Sequence, residues 1–257
     1  MKIFSLLTLM TLVSCGSTAL YTPQARMISP ETPGDEGKVA VDFRATMYRR
    51  DRADFENNDI KNPLKKQGHK VAPSIFGEIG IEKWLSFYGD PNPIVNSPSI
   101  VGGKIQFLGD PANEAKKGNL SASVTGGFGY RSSNQYVGWK NWEGQTKRDD
   151  VESVRFRNQH HELGFIVGYR WQDKLLHYVS SYYFHQDING DVKTEDAGLD
   201  HKKFDFTQDG TLYSTGIMYR IGEKHSLKGE YTHMISGYSF SHQQTTNTVH
   251  LALGINF

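Results

Sequence analysis

Val249-His-Leu-Ala-Leu-Gly-Ile-Asn-Phe257 stands at the end of the sequence. Val249, Leu251, Leu253, Ile255 and Phe257 are apolar, while His250, Ala252, Gly254 and Asn256 between them are polar or small. Strict alternation is the signature of a strand, whose successive side chains point to opposite faces. The same pattern recurs upstream. Val39, Val41, Phe43, Ala45 and Met47 alternate with Asp42, Arg44 and Thr46. Leu163, Phe165, Val167, Tyr169 and Trp171 alternate with Glu162, Gly164, Gly168 and Arg170. From Lys38 onward almost no period near 3.6 appears, so the chain reads as all-β.

The second face decides what kind of β protein this is. A soluble sandwich turns its polar face to water and favours Lys, Glu and Thr there. Here that face is rich in Gly and Ser with scattered charges of both signs, which suits a crowded interior. The apolar face ends repeatedly in Tyr, Trp or Phe, as a girdle at a lipid interface does. Ten strands are expected, over 38–49, 73–82, 84–90, 98–108, 119–131, 158–171, 174–186, 209–221, 224–237 and 246–257, with eight or twelve as alternatives. Several match the ~9–11 residues of a tilted transmembrane strand. Short joins (83, 172–173, 222–223, with a medium one at 109–118) alternate with longer ones at 50–72, 91–97, 132–157, 187–208 and 238–245. The pattern predicts a closed antiparallel up-and-down transmembrane β-barrel, with short turns at one rim and loops at the other. An even strand number puts both chain ends at the short-turn rim.

The stretch Phe76-Gly-Glu-Ile-Gly-Ile-Glu-Lys-Trp-Leu-Ser-Phe-Tyr-Gly89 resembles the strand, tight turn, strand unit of proteobacterial outer-membrane barrels. The terminal Phe257 resembles the signal read by the barrel-assembly machinery. This likeness implies a broad class and no particular substrate.

Composition agrees and excludes other classes. The mean hydropathy of −0.55 leaves no room for a helical membrane bundle with its apolar runs of ~20 residues. The chain has 29 Lys+Arg and 28 Asp+Glu, so nothing points to nucleic acid. Its single cysteine rules out an intramolecular disulfide framework. That cysteine lies at Leu12-Val13-Ser14-Cys15, after the cationic Lys2 and the apolar run Ile3 to Val13, so residues 1–14 read as a signal peptide. The box resembles that of bacterial lipoproteins, which implies a Cys15 carrying palmitate-type acyl chains. Residues 15–37, with Pro23, Pro30 and Pro33, read as a lipidated flexible tether, and 38–257 as the barrel. The expected location is the bacterial outer membrane, with a periplasmic lipid anchor and the long loops outside. Membrane lipid, lipopolysaccharide, and the barrel-assembly and lipoprotein-sorting machineries are the partners implied. Oligomeric state is left open.

The inward set is expected to include Asp42, Arg44, Glu78, Lys104, Arg131, Glu162, Arg170, Arg220, Lys228 and Glu230. Charges of both signs in so narrow a lumen should pair across it, leaving a plugged or very narrow passage. Candidate chemistry lies at the loop rim. His161, His185 and Asp187, together with His160, His201, His233 and His242, could supply a general base, as in outer-membrane proteases and lipid-modifying hydrolases. Read plainly, they are rim residues. Asp187, Asn189 and Asp191 space three oxygen side chains as a calcium loop begins, although Asn189-Gly190 is also a turn signal. Tyr136, Trp139 and Trp142 could grip a sugar or a protein. Arg49, Arg50, Arg52, Lys65 and Lys66 could pair phosphates. No cofactor motif is read, and no enzymatic motif stands out. The resulting function is a structural, surface-interaction or narrow small-solute channel role. An outer-membrane hydrolase and a soluble periplasmic lipocalin-like binding lipoprotein, apolar inside, stand beside it.

Overall fold

The structure is a computed structural model, and it describes residues 18–21, 26–56, 59–91, 97–137, 152–193, 202–239 and 243–257. A short strand, β1 (Thr18–Tyr21), precedes ten longer ones: β2 (Val39–Glu56), β3 (Asp59–Glu82), β4 (Leu85–Asp90), β5 (Ser99–Leu108), β6 (Leu120–Val137), β7 (Glu152–Gln172), β8 (Leu175–Lys193), β9 (Lys202–Ile221), β10 (His225–Tyr238) and β11 (Gln244–Asn256). Each of β2 to β11 pairs antiparallel with its sequence neighbour. The pairing of β11 with β2, from His250↔Thr46 to Asn256↔Ala40, joins the two ends of the sheet and closes the ring. Ten strands form the ring, which closes the sheet toward the short turns, while toward the other rim β3 runs on past the short β4.

At the short-turn rim the strand ends lie within one residue of the expected ones. Gly222, with φ +72, takes the left-handed conformation that the β9–β10 turn needs. At the opposite rim β2, β3 and β6 to β9 run on well past expectation, whereas β4, β5, β10 and β11 end within two residues of it. The hairpin of β2 and β3 continues to Glu56↔Asp59, that of β6 and β7 to Val137↔Glu152, and β8 extends to Lys193. Residues 50–72 are therefore mostly strand. These extensions escape a periodicity reading because they stand clear of lipid. Neither face has to be apolar there, so no alternation marks them.

Side-chain direction follows the sequence pattern. The alternating apolar set points outward: Leu163 is 60% exposed and Trp171 58%. On β7 this row runs Leu163, Phe165, Val167, Tyr169 and Trp171, then gives way to exposed His161, Gln159, Arg157 and Arg155. At ~3.3 Å per residue and ~40° of tilt, His161 to Trp171 covers about 25 Å of height, which is the apolar band of a transmembrane barrel. Outward aromatics edge the band on both sides, among them Trp84, Tyr169 and Trp171 toward the short turns and Tyr183, Tyr213 and Tyr231 toward the hairpins. The lipocalin-like alternative needs this row inside and is thereby overturned.

The lumen is filled. Lys104 and Arg170 are completely buried, and so are the rings of Tyr178 and Phe184. The inward glycines make room for such rings. A Cβ on Gly164 would stand 2.2 Å from Tyr182, one on Gly216 2.3 Å from Tyr178, and one on Gly210 2.5 Å from Phe184.

Candidate functional site

The segment before β2 is the main departure from the sequence reading. Residues 26–32 are not a tether outside the barrel. They run down its inside, and Met27, Ile28 and Thr32 are buried there, whereas 35–37 are exposed at the turn rim. Pro30 and Pro33, which suggested a linker, suit an extended plug equally well, because proline holds φ near that of extended chain. Met27 takes φ +48, a left-handed conformation costly for a residue with a Cβ, and it is held between anchored neighbours.

The plug is fastened at three levels. Nearest the hairpin rim, Arg26 Nε donates to Glu162 Oε2 at 2.6 Å, and its Nη1 lies 3.3 Å from Asp90 Oδ2. His160, fully buried, lies 2.9 Å from Glu162 and 3.3 Å from Arg26. Tyr88 OH donates to the other oxygen of Glu162 at 3.1 Å. Midway, Lys104 Nζ donates to the carbonyls of Ser29 and Glu31 at 3.0 and 2.8 Å, and sits 2.5 Å from Glu78. Toward the short turns, Glu31 accepts from Arg170 in a two-pronged pair, Nε to Oε1 at 2.7 Å and Nη2 to Oε2. Asn119 donates to Glu31 and Arg220 lies 3.7 Å away. The segment leaves the lumen where Thr32 Oγ1 donates to the Lys83 carbonyl at the β3–β4 turn. Gly37 N then donates to the Gly80 carbonyl and β2 begins. In that turn the Lys83 ammonium, 2.6 Å from Glu114, is held above its ordinary pKa, chiefly by this hydrogen bond.

Of the expected inward charges, Asp42, Arg44, Glu78, Lys104, Glu162, Arg170, Lys228 and Glu230 are buried, while Arg131 and Arg220 are half-buried. Some pair across the wall, as Lys228 does with Asp42 at 2.6 Å. Others do not pair as wall residues alone. Glu162 takes Arg26 as its cation and Arg170 takes Glu31 as its anion, and both partners belong to the plug. Arg44 lies over the Phe76 ring, 3.9 Å from its centroid, with Asp90 at 3.5 Å.

Among the described residues, the rim candidates do not gather at one point. His161 and His185 are cross-strand partners on the outer wall. Each ring nitrogen of His185 faces a carboxylate: Nδ1 lies 2.7 Å from Asp209, and Nε2 lies 3.2 Å from Asp187. That leaves no nitrogen to take a proton from a nucleophile. His161 packs against Phe128 at 5.1 Å between ring centroids. His233 contacts Asn247 at 2.7 Å, and His160 belongs to the lumen. Asp187, Asn189 and Asp191 occupy alternate positions of β8. They form a row along a strand, neither a turn nor a converging calcium loop. No group of three His, Cys, Asp or Glu gathers to hold a metal among the described residues. Tyr136 pairs with Ser153 in the extended end of β6, and Arg52 with Lys65 in the β2–β3 hairpin. Cys15, Trp139, Trp142, His201 and His242 lie outside the described residues. The functional residues missed in the sequence are Arg26 and Glu31. Their only signal is opposite charges flanking buried apolar residues, Met27 and Ile28, within a polar stretch.

No known family and no curated protein matches the chain. Solved structures that align with it include the N-terminal β-barrel domain of Pseudomonas aeruginosa OprF, at 9% identity and a TM-score of 0.27, covering 86% of this chain and 98% of that one. A loop L8 deletion mutant of Vibrio cholerae OmpT, an outer membrane protein, aligns at 9% identity and a TM-score of 0.26, over 94% and 100%. The outer membrane channel DcaP of Acinetobacter baumannii aligns at 10% and 0.23, over 94% and 98%. At such scores the assignment rests on ring closure and the outward apolar band. The chain is a closed ten-stranded β-barrel of the outer-membrane type, filled by its own N-terminal segment.

Proposed function

We propose that the protein is an outer-membrane barrel lipoprotein whose role is structural or at the cell surface, with a lumen closed to general diffusion. The observation that carries this reading is the plug, a segment of the same chain bound by buried ion pairs at Arg26 and at Glu31 and by a buried lysine. General porins need an aqueous passage, and a ten-strand ring is only slightly wider than the eight strands whose side chains fill the interior. The extended hairpins at one rim then supply the contact surface, and lipopolysaccharide is the nearest partner. Arg155 and Arg157, exposed just beyond the apolar band, suit its phosphates. Residues 1–14 serve as signal peptide, and Cys15 carries the lipid added by lipoprotein processing. The barrel-assembly and lipoprotein-sorting machineries act on the chain during export.

The test is electrical. Purified protein in a planar bilayer should show no large, steady conductance, and unboiled protein should migrate differently from boiled protein on a detergent gel. A large steady conductance from the intact chain rejects the closed-lumen reading. Mass spectrometry of the mature N-terminus, compared with Cys15→Ala, reads the lipid: an unmodified mature chain rejects the anchor.

A further inference from the structure

We infer that the N-terminal end of the chain is threaded through its own barrel and delivered to the hairpin rim, opposite the rim where β2 begins. The inference rests on the outer-membrane reading above and concerns where the N-terminus lies within it. Three observations fix the direction. First, β1 does not lie beside the start of β2. It pairs antiparallel with the far end, Thr18↔Ala53 to Tyr21↔Arg50. From Val39 to Arg50 the strand covers about 36 Å, the full apolar band and more. Second, the plug contacts descend in order along single strands. On β7, Arg26 meets His160 and Glu162, whereas Glu31 meets Arg170 beside the β7–β8 turn. Third, the descent ends at the short turns, where Thr32 bonds to Lys83, and Gly37 to Gly80. The chain therefore passes from hairpin rim to turn rim inside the barrel and returns as β2 in the wall. The C-terminus stays at the turn rim, where Phe257 N donates to the Val39 carbonyl.

This reverses the topology expected from an even strand count, which assumes that nothing before the first strand crosses the membrane. Cys15 lies three residues before Thr18, and three residues reach about 10 Å at most. An acyl group on Cys15 thus belongs to the hairpin face. It cannot be drawn through a filled lumen after assembly. The sheet must close around the segment.

Cysteine reporters added one at a time to the full-length protein test this on cells, with the labelling of the parent chain, which carries only Cys15, read in parallel and subtracted. Thr18→Cys reports the N-terminus, Ser239→Cys the hairpin rim and Glu223→Cys the short-turn rim. A membrane-impermeant maleimide should label Thr18→Cys and Ser239→Cys on intact cells, and Glu223→Cys only after the outer membrane is permeabilised. Threading is overturned if Thr18→Cys follows Glu223→Cys while Ser239→Cys stays surface-reactive. If Ser239→Cys and Glu223→Cys label alike in both conditions, the membrane-spanning reading itself fails, and the inference falls with it.

Discussion

Neutralising Glu31 should loosen the plug and destabilise the barrel together. Glu31→Gln keeps the shape of the side chain and removes its charge. In the native lumen Arg170 has no exposure and depends on Glu31 as its anion, with the Asp173 carbonyl at 3.0 Å as a neutral acceptor. Arg220 reaches to within 3.7 Å of the same carboxylate, so the substitution leaves two neighbouring guanidiniums without their shared anion. Breaking a buried pair by removing one partner costs about 3–5 kcal/mol. The second cation argues for the upper half of that range, and release of the plug with entry of water sets its limit. Two readouts follow: a lower temperature at which unboiled protein loses its fast-migrating form, and bursts of conductance absent from the native protein. Glu31→Gln combined with Arg170→Gln removes both charges and should recover about 2 kcal/mol relative to the sum of the single variants, a coupling expected of groups in contact. A Glu31→Gln protein that keeps the native transition and stays silent in the bilayer would show that the pair does not hold the plug.

Gly168→Ala places a methyl 2.7 Å from Pro30 Cγ, so it should push the plug aside and increase conductance, and Pro30→Gly in the same chain should reverse this. Lys104→Met removes the donor that clamps the Ser29 and Glu31 carbonyls and should make the segment accessible to added protease in detergent, which limited digestion can read. Phe165→Arg, in the middle of the outward row, should lower barrel stability in lipid by about 2–4 kcal/mol, whereas the same change leaves a water-facing wall nearly unaffected.

What was legible in the sequence was whatever lipid enforces. Between the short turns and the aromatic edge, each strand must alternate, so a residue such as Leu163 could be assigned outward and Arg170 inward before any coordinates. Above that edge, Asp187, Asn189 and Asp191 face water. Pairing continues, but hydropathy no longer distinguishes the faces, and a strand reads as a turn or a metal loop. The described histidines separate for a related reason. His160 and His161 are adjacent in sequence, yet strand geometry sends one into the lumen and the other outward. A common height at the loop rim therefore does not place two such residues on one face.

The plug was invisible to periodicity for a different reason: an extended segment bonded through its carbonyls and two end charges imposes no repeat. The charges of the lumen nonetheless call for it. A fully buried Arg170 needs an anion, and among the described residues the wall carboxylates are engaged elsewhere, Glu78 with Lys104, Asp42 with Lys228 and Glu230 with Tyr178. Once the wall is paired internally, the unmatched Arg170 and the cation-seeking Glu162 define two sockets of opposite sign, one above the other. A strand-like segment carrying Arg26 and Glu31 in that order fits them in one direction only. Reversal would set Arg26 against Arg170 and Glu31 against Glu162, burying two like-charge contacts. The polarity of the threading is thus written in the charges, which is why exchange of the two, Arg26→Glu with Glu31→Arg, should be tolerated worse than loss of either one.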